Sequence, residues 1–318
     1  MSADDAARVL RLRDRVLPLG ARTYVMAIVN LTDDSFSGDG VGADVEAAVR
    51  RAVAAQADGA DIIDIGAESA RADVPSRGAA AEAELVAEAV RRIAGEVDVA
   101  LSVDTYKPEV AASAVAAGAS MINDIGGFKY GIGTAEVAAR SGAALVLNYT
   151  YERPKVRPSA PPRYDDLIGK HLAFLRERVR DALAAGVSRD ALVVDPGIAF
   201  GKSHDEDLEV LRRLREFSSL GVPVMIAASR KHFIGSVVGL PPARRDAATV
   251  AVTALAIAAG VDIVRVHDVA ANVQAARIAD AIVRGRPGDF AATAASWPWA
   301  SDAVPVPGTT IGDTQDAR

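Results

Sequence analysis

Residues 62–66 read Ile-Ile-Asp-Ile-Gly, a short run that is apolar nearly throughout instead of alternating apolar with polar side chains. A parallel strand buried on both faces has this pattern, because helices cover both sides of its sheet. Residues 192–197 (Leu-Val-Val-Asp-Pro-Gly) and 262–266 (Asp-Ile-Val-Arg-Val) resemble it closely. The eight runs of this kind are predicted strands, at 24–30, 61–66, 99–105, 120–125, 144–149, 192–197, 222–228 and 262–267.

Amphipathic stretches separate the predicted strands. Several end in a glycine just before the next strand, as at Gly59, Gly118 and Gly186, and glycine past a helix end adopts the left-handed cap without steric cost. Repeated strand–helix units predict an α/β fold with a parallel sheet, and eight units favour a closed (β/α)8 TIM barrel over an open sheet. The predicted helices are 45–58, 79–94, 109–117, 164–185, 205–215 and 246–259.

The chain of 318 residues accommodates one such barrel with extra ends. We predict an N-terminal extension at 1–22, the barrel at 23–287 and a tail at 288–318. The tail is rich in Ala, Pro, Thr and Asp and lacks periodicity, so we expect it to be disordered.

Composition excludes several classes of function. The net charge of −6 disfavours nucleic-acid binding, which depends on surplus Lys and Arg. The chain has no cysteine, which rules out disulfides, thiolate metal sites and cysteine nucleophiles. Neither a secretory signal nor an apolar run of membrane-spanning length is present. We therefore expect a cytoplasmic protein with no membrane partner.

Polar side chains concentrate where the predicted strands end, which in a TIM barrel is the face that carries the active site. One Asp or Asn at such a place often caps a helix, but seven polar residues together indicate a ligand. Carboxylates and amides can read the edge of a flat heterocycle, cations can hold a phosphate, and an amide oxygen suits Mg²⁺. Lys107 is instead expected on a helix surface. The seven residues are Asn30, Asp104, Asn123, Asp195, Lys231, Arg265 and His267.

A nucleotide-binding loop is a weaker interpretation. Residues 197–203 read Gly-Ile-Ala-Phe-Gly-Lys-Ser, but three residues separate Gly197 from Gly201 where a phosphate loop has four. The spacing therefore disfavours a nucleotide site.

The motifs together resemble those of the dihydropteroate synthase family. The resemblance extends in order from about residue 23 to 282, which is the whole predicted barrel. It is carried by residues 26–37 (Met-Ala-Ile-Val-Asn-Leu-Thr-Asp-Asp-Ser-Phe-Ser), 61–71, 102–108, 122–124, 195–202, 229–231 and 265–268.

This resemblance implies a transferase in which p-aminobenzoate attacks a dihydropterin pyrophosphate, with Mg²⁺ as cofactor and a homodimer as the assembly. It implies that Asp104, Lys231 and Asp34 are catalytic, and that Asn30 binds the metal. It places the pterin and pyrophosphate against Asp104, Asn123, Asp195, Lys231, Arg265 and His267. It places p-aminobenzoate beside Ser229, Arg71 and Ala70.

The chain departs from the family pattern in the loops that close over substrate and in the strand-six and strand-seven segments that form the walls of the site. Asp33 replaces a proline, Ala70 lacks a hydroxyl group, and Ala199 and Ala227 add methyl groups where the family has glycine. Because such loops assemble a site for turnover, we expect pterin binding to survive and synthase activity to be weak or lost. The alternative is a fully active synthase, since loops tolerate change better than cores do.

Three other functions stay open. The chain can be a pterin binder without catalysis. It can transfer a methyl group from a folate to a corrinoid protein, although the Ser229-Arg-Lys231 motif argues against this. A lysine Schiff-base aldolase is disfavoured because Lys231 follows its strand instead of lying within it.

Overall fold

The computed structural model describes residues 8–32, 40–69, 74–156 and 162–285. Strands β1 and β2 form an antiparallel hairpin, and β3 to β10 form a parallel eight-stranded sheet. The strands are β1 (Val9–Arg11), β2 (Val16–Pro18), β3 (Tyr24–Asn30), β4 (Ile62–Gly66), β5 (Ala100–Asp104), β6 (Met121–Asp124), β7 (Ala144–Asn148), β8 (Leu192–Asp195), β9 (Met225–Ile226) and β10 (Ile263–Val266).

The parallel sheet closes into a barrel. Its hydrogen-bonded order is β8-β7-β6-β5-β4-β3-β10-β9, and an isolated parallel bridge between Val194 and Val224 joins the two end strands. The predicted TIM barrel is therefore confirmed. The eight predicted strands all appear, but the seventh is only two residues long, against the predicted 222–228.

Helices surround the barrel and follow its strands. The helices are α1 (Val45–Ala57), α2 (Ala79–Ala94), α3 (Pro108–Ala117), α4 (Gly133–Ser141), α5 (Leu167–Ala184), α6 (His204–Arg212), α7 (His232–Val238), α8 (Asp246–Ala258) and α9 (Val269–Val283), with short 3-10 helices at Arg189–Ala191, Leu214–Leu220 and Pro242–Arg244.

The hairpin seals the amino end of the barrel. Its residue Leu10 and the adjoining Leu12 are buried against apolar side chains at the beginnings of the barrel strands, including Tyr24, Ile62 and Met121. The Tyr24 hydroxyl donates to the Pro18 carbonyl at 2.6 Å and ties the hairpin to β3. The predicted N-terminal extension thus contains a plug for one end of the barrel.

None of the helices within the described residues is long and apolar enough to cross a membrane. The predicted tail at 288–318 lies outside the described residues.

Candidate functional site

A cavity of about 320 Å³ opens at the carboxyl end of the barrel. This volume is at the lower end of the range for small-molecule sites. The structure brings the seven predicted residues together around it, since Asn30, Asp104, Asn123, Asp195, Lys231, Arg265 and His267 all line it. They lie on or after six of the eight barrel strands, with Arg265 and His267 both at the end of β10, so the barrel unites residues that are far apart in sequence.

The floor of the cavity is a network of charged and amide groups. The Arg265 guanidinium donates from Nε to Asp64 Oδ2 at 2.6 Å and from Nη2 to Asp104 Oδ2 at 2.8 Å. The Asn123 amide also donates to Asp64 Oδ2, at 2.9 Å. Sequence reasoning missed Asp64, although a carboxylate in the middle of the apolar run at 62–66 was a visible signal.

Burial shifts the proton affinities of the two carboxylates that face the cavity. It raises the pKa of Asp104, against the opposing effect of the nearby Arg265. It also raises the pKa of Asp195, against the opposing effect of Lys231. Asp195 Oδ1 accepts from the Gly197 backbone N–H at 2.7 Å, which fixes the carboxylate in place. Burial therefore disfavours the ionised form of both groups, and a ligand donor or cation beside them would restore it.

Lys231 supplies a buried cation on the opposite wall. Its Nζ donates to the Ile198 carbonyl at 2.6 Å, and burial lowers its pKa to about 8, with Asp195 opposing the shift. The preceding residue, Arg230, has a left-handed backbone with φ of 57°, which is costly for a residue other than glycine. A two-pronged ion pair with Asp246, at 2.6 and 2.8 Å, holds that turn and so fixes the position of Lys231.

His267 is oriented by Ser229. The Ser229 hydroxyl oxygen accepts from the His267 backbone N–H at 3.2 Å and lies 2.8 Å from the ring Nδ1. The Ser229 hydroxyl can donate its hydrogen to an unprotonated Nδ1, and in that tautomer the ring hydrogen lies on Nε2. Ser229 is not among the residues that line the cavity and contacts it through His267, and its predicted place beside p-aminobenzoate stays a prediction.

Glu68, at the rim of the cavity, belongs to a second ionic cluster. Its carboxylate accepts from Tyr106 Oη at 2.6 Å and from Lys107 Nζ at 3.1 Å. Lys107 also pairs with the buried Glu82 at 2.5 Å. Lys107 is therefore largely buried in an ion-pair network, and its expected position on a helix surface is wrong.

Two carboxylates near the cavity are structural. Asp268 accepts from the Ala271 backbone N–H and caps α9. Asp124 is buried and accepts from Thr134 Oγ1 at 2.6 Å and from the Gly126 backbone N–H at 2.7 Å. Neither lines the cavity.

The residues that line the cavity suit a hydrated magnesium ion better than a metal ion bound only by protein side chains. Among the described residues, no group of three or more His, Asp or Glu side chains could hold a metal. Asn30 and Thr32 instead bring oxygen atoms to the cavity wall beside Asp104. Mg²⁺ keeps several waters and commonly binds through one or two protein oxygens together with substrate phosphates. The donor set therefore fits Mg²⁺ arriving with a pyrophosphate.

Three predicted residues lie outside the described residues. They are Asp34, in the loop after β3, and Ala70 and Arg71, in the loop after β4. Their assigned roles remain predictions.

Comparisons with known proteins agree with the fold. Residues 26–267 match the model of the pterin binding enzyme family. A dihydropteroate synthase of Bacillus subtilis is 41% identical over 88% of this chain and 95% of its own length. The Yersinia pestis dihydropteroate synthase, solved with a sulfonamide drug complex, superposes with a TM-score of 0.81 at 35% identity over 86% of this chain and 98% of its own.

The dihydropteroate synthase of Thermus thermophilus is similar in two solved complexes. Its complex with 4-aminobenzoate gives a TM-score of 0.77 at 38% identity, over 86% of this chain and all of that one. Its complex with 6HMPPP gives a TM-score of 0.74 at 37% identity, over 86% of this chain and all of that one.

Proposed function

The chain belongs to the dihydropteroate synthase family, and we propose that it is an active synthase, which condenses a dihydropterin pyrophosphate with p-aminobenzoate. The observation that carries this proposal is the polar lining of the cavity, where Asp104, Asn123, Asp195 and Lys231 come together at the strand ends. The high identity to synthases along nearly their full length supports the same activity.

We had expected weak or lost turnover from the altered loops. The comparisons favour the alternative, because the described site retains its polar groups and the relatives are named as synthases. Two of the altered positions, Asp33 and Ala70, lie outside the described residues. The added methyls of Ala199 and Ala227 reach the cavity wall but leave a cavity of about 320 Å³.

In the proposed reaction the amine nitrogen of p-aminobenzoate attacks the methylene carbon of the pterin. The carbon–oxygen bond to pyrophosphate breaks, and the amine loses a proton. The developing positive charge on the pterin is stabilised by the carboxylates of Asp104 and Asp195, and no protein nucleophile is required. Lys231 donates to the ring and contributes positive charge nearby.

Release of the pyrophosphate needs positive charge at the cavity mouth. A bound Mg²⁺, held by Asn30, would supply positive charge that offsets the negative charge of the leaving pyrophosphate. His267, with its ring hydrogen on Nε2, can donate to the same anion. The guanidinium of Arg265 is held between Asp64 and Asp104, so its positive field acts from the floor of the cavity.

The decisive experiment measures pyrophosphate release by purified protein given dihydropterin pyrophosphate, p-aminobenzoate and Mg²⁺. We expect release that requires p-aminobenzoate and is lost in Asp104→Asn. A matched control is Asp124→Asn, which alters a buried carboxylate away from the cavity. Binding of the pterin pyrophosphate without release would contradict the proposal and favour a pterin binder without catalysis.

We also propose a homodimer formed through α8 and α9. These adjacent helices expose large apolar side chains, with Leu255 72%, Ile278 64% and Ile282 78% exposed, and apolar groups concentrated on neighbouring helices indicate a protein contact. Light scattering of Ile278→Glu/Ile282→Glu should give half the mass of the wild-type protein. A wild-type monomer would contradict this assembly. The expected cytoplasmic location stays a prediction.

A further inference from the structure

Asp64 controls two groups of the cavity without lining it. Its side chain has no exposed surface. Asp64 Oδ2 accepts from both Arg265 Nε and Asn123 Nδ2, at 2.6 and 2.9 Å. On the three neighbouring strands, Gly66, Asp104 and Asn123 are in register with one another. Asp64 lies two residues before Gly66 on the first of these strands. Asp64 therefore lies one layer deeper in the barrel than the residues that face a ligand.

The contact with Asp64 determines which end of the Asn123 amide meets the ligand. An amide carries a donor at one end and an acceptor at the other, whereas an ionised carboxylate only accepts. Asp64 must therefore take the NH2 group, which leaves the carbonyl oxygen of Asn123 for the ligand. Without Asp64, the amide could turn over and offer its NH2 group instead.

The cavity floor consequently presents hydrogen-bond acceptors. The Asn123 oxygen adds to the carboxylates of Asp104 and Asp195, which line the same cavity. Arg265 uses its Nε and Nη2 groups to donate to Asp64 and Asp104. A heterocycle edge with several N–H groups pairs with this floor, while an edge that turns a carbonyl toward Asn123 meets another acceptor.

We propose that Asp64 is a positioning residue that makes the site select a 2-amino pterin edge over a 2-oxo edge, by fixing the orientation of the Asn123 amide. This inference rests on the proposed pterin site and deepens it. It assigns the choice of heterocycle to a residue that touches no ligand.

The test compares two ligands by calorimetry. Pterin carries a 2-amino group, and lumazine carries a carbonyl at the same position. We expect wild-type protein to prefer pterin, and Asp64→Ala to reduce that preference by about tenfold or more, which is the effect of one oriented hydrogen bond. If Asp64 had a merely structural role, its loss would weaken the binding of both ligands equally and leave the ratio of pterin to lumazine affinity unchanged. That result would overturn the inference.

A matched control is available on the next strand. Ser102 is in register with Asp64 and is equally buried, and its hydroxyl has no hydrogen-bond partner among the described residues. Ser102→Ala removes a buried polar group without touching Asn123, so the ratio of pterin to lumazine affinity should stay at its wild-type value. An equal loss of preference in both variants would contradict the role of Asp64.

A second pair of variants keeps the test decisive if Asp64→Ala does not fold. Asn123→Asp places a second carboxylate beside that of Asp64, and the repulsion between them should lower pterin affinity by about tenfold or more. Adding Asp64→Asn restores one donor and one acceptor with unchanged volumes, and should recover most of that affinity. Failure of this rescue would overturn the inference.

The proposed function and this inference fail in different ways. Preference for pterin without pyrophosphate release would reject the synthase activity and leave the role of Asp64 standing. Wild-type protein that bound neither ring would reject both.

Discussion

The two ends of the barrel are made from the same eight strands, yet they differ in chemistry. At the amino end, Leu10 and Leu12 of the plug pack against apolar strand beginnings. At the carboxyl end, Asp64, Asp104 and Arg265 form a buried ionic floor. Burying apolar area stabilises the fold, whereas burying charge opposes it unless the charge is paired. The comparison shows that the amino end of the barrel contributes to stability and the carboxyl end to ligand recognition.

The largest expected effect tests the ionic end. Asp104→Asn should lower synthase activity by about 100- to 1000-fold, which is typical for the loss of one preorganised electrostatic group. Stability should respond in the opposite direction. Since folding raises the pKa of Asp104 above its usual 3.8, the folded wild-type protein loses stability as pH rises from 3.8 through the raised pKa.

The asparagine variant cannot ionise, so at pH 8 its free energy of unfolding should equal or exceed that of the wild-type protein. Urea unfolding at pH 5 and pH 8 measures this, with turnover measured in parallel. A variant that lost both activity and stability at pH 8 would mean that the Asp104 carboxylate supports the fold, and the contrast between the two ends would fail.

The second prediction tests the apolar end. Leu10→Ala should lower the free energy of unfolding by about 2–5 kcal/mol, because it leaves a cavity among fully buried side chains. Turnover per folded molecule should not change, since the plug lies at the far end from the site. Leu17→Ala changes a residue of the same hairpin that is only partly buried, so it should lower the free energy of unfolding by less. A drop in kcat for Leu10→Ala at full folding would show that the two ends are coupled.

The third prediction concerns Lys231 and pH. Its ammonium loses the proton as pH rises through about 8, so affinity for the pterin pyrophosphate should fall by about tenfold above that pH. Lys231→Arg keeps its charge and should remove this dependence while binding more weakly overall. Titration calorimetry from pH 6.5 to 9.5 checks both. An unchanged pH profile in the arginine variant would assign the titration to another group.

The smallest expected effect concerns Ala199. It has a left-handed backbone with φ of 68° at the cavity wall, and its N–H donates to Asp207 at 2.8 Å. Ala199→Gly should raise the free energy of unfolding by at most about 1 kcal/mol, as strain relief is partly offset by the flexibility of glycine. Ala227→Gly, at the same cavity wall, is the control that relieves no such strain. A loss of stability in Ala199→Gly would show that the alanine methyl packs favourably.

Much of the fold could be predicted from the apolar runs, because a strand buried on both faces must be apolar wherever it lies in a sequence. The two-residue strand Met225–Ile226 is shorter than its apolar run, since ladder length depends on neighbours that the run does not reveal. The start of α9 is visible in the sequence, because Asp268 directly follows β10 and aspartate commonly caps a helix.

Within the site, polar residues at strand ends could be identified because the TIM barrel places all carboxyl ends on one face. Lys107 was misplaced, since its burial depends on Glu68 and Glu82, which are distant in sequence. The position of Ser229 behind His267 was also beyond sequence reasoning, because a side chain at a strand end can face the cavity or its wall.

The sequence by itself determined the barrel, the face that carries the site and the seven residues gathered there, because these follow from periodicity and from the direction of parallel strands. Only the tertiary structure decided how those residues are paired. Arg265 lies between Asp64 and Asp104, and Asn123 turns its donor inward, because each polar group removed from water must find its partner in space. Which partner it finds depends on the closure of the barrel.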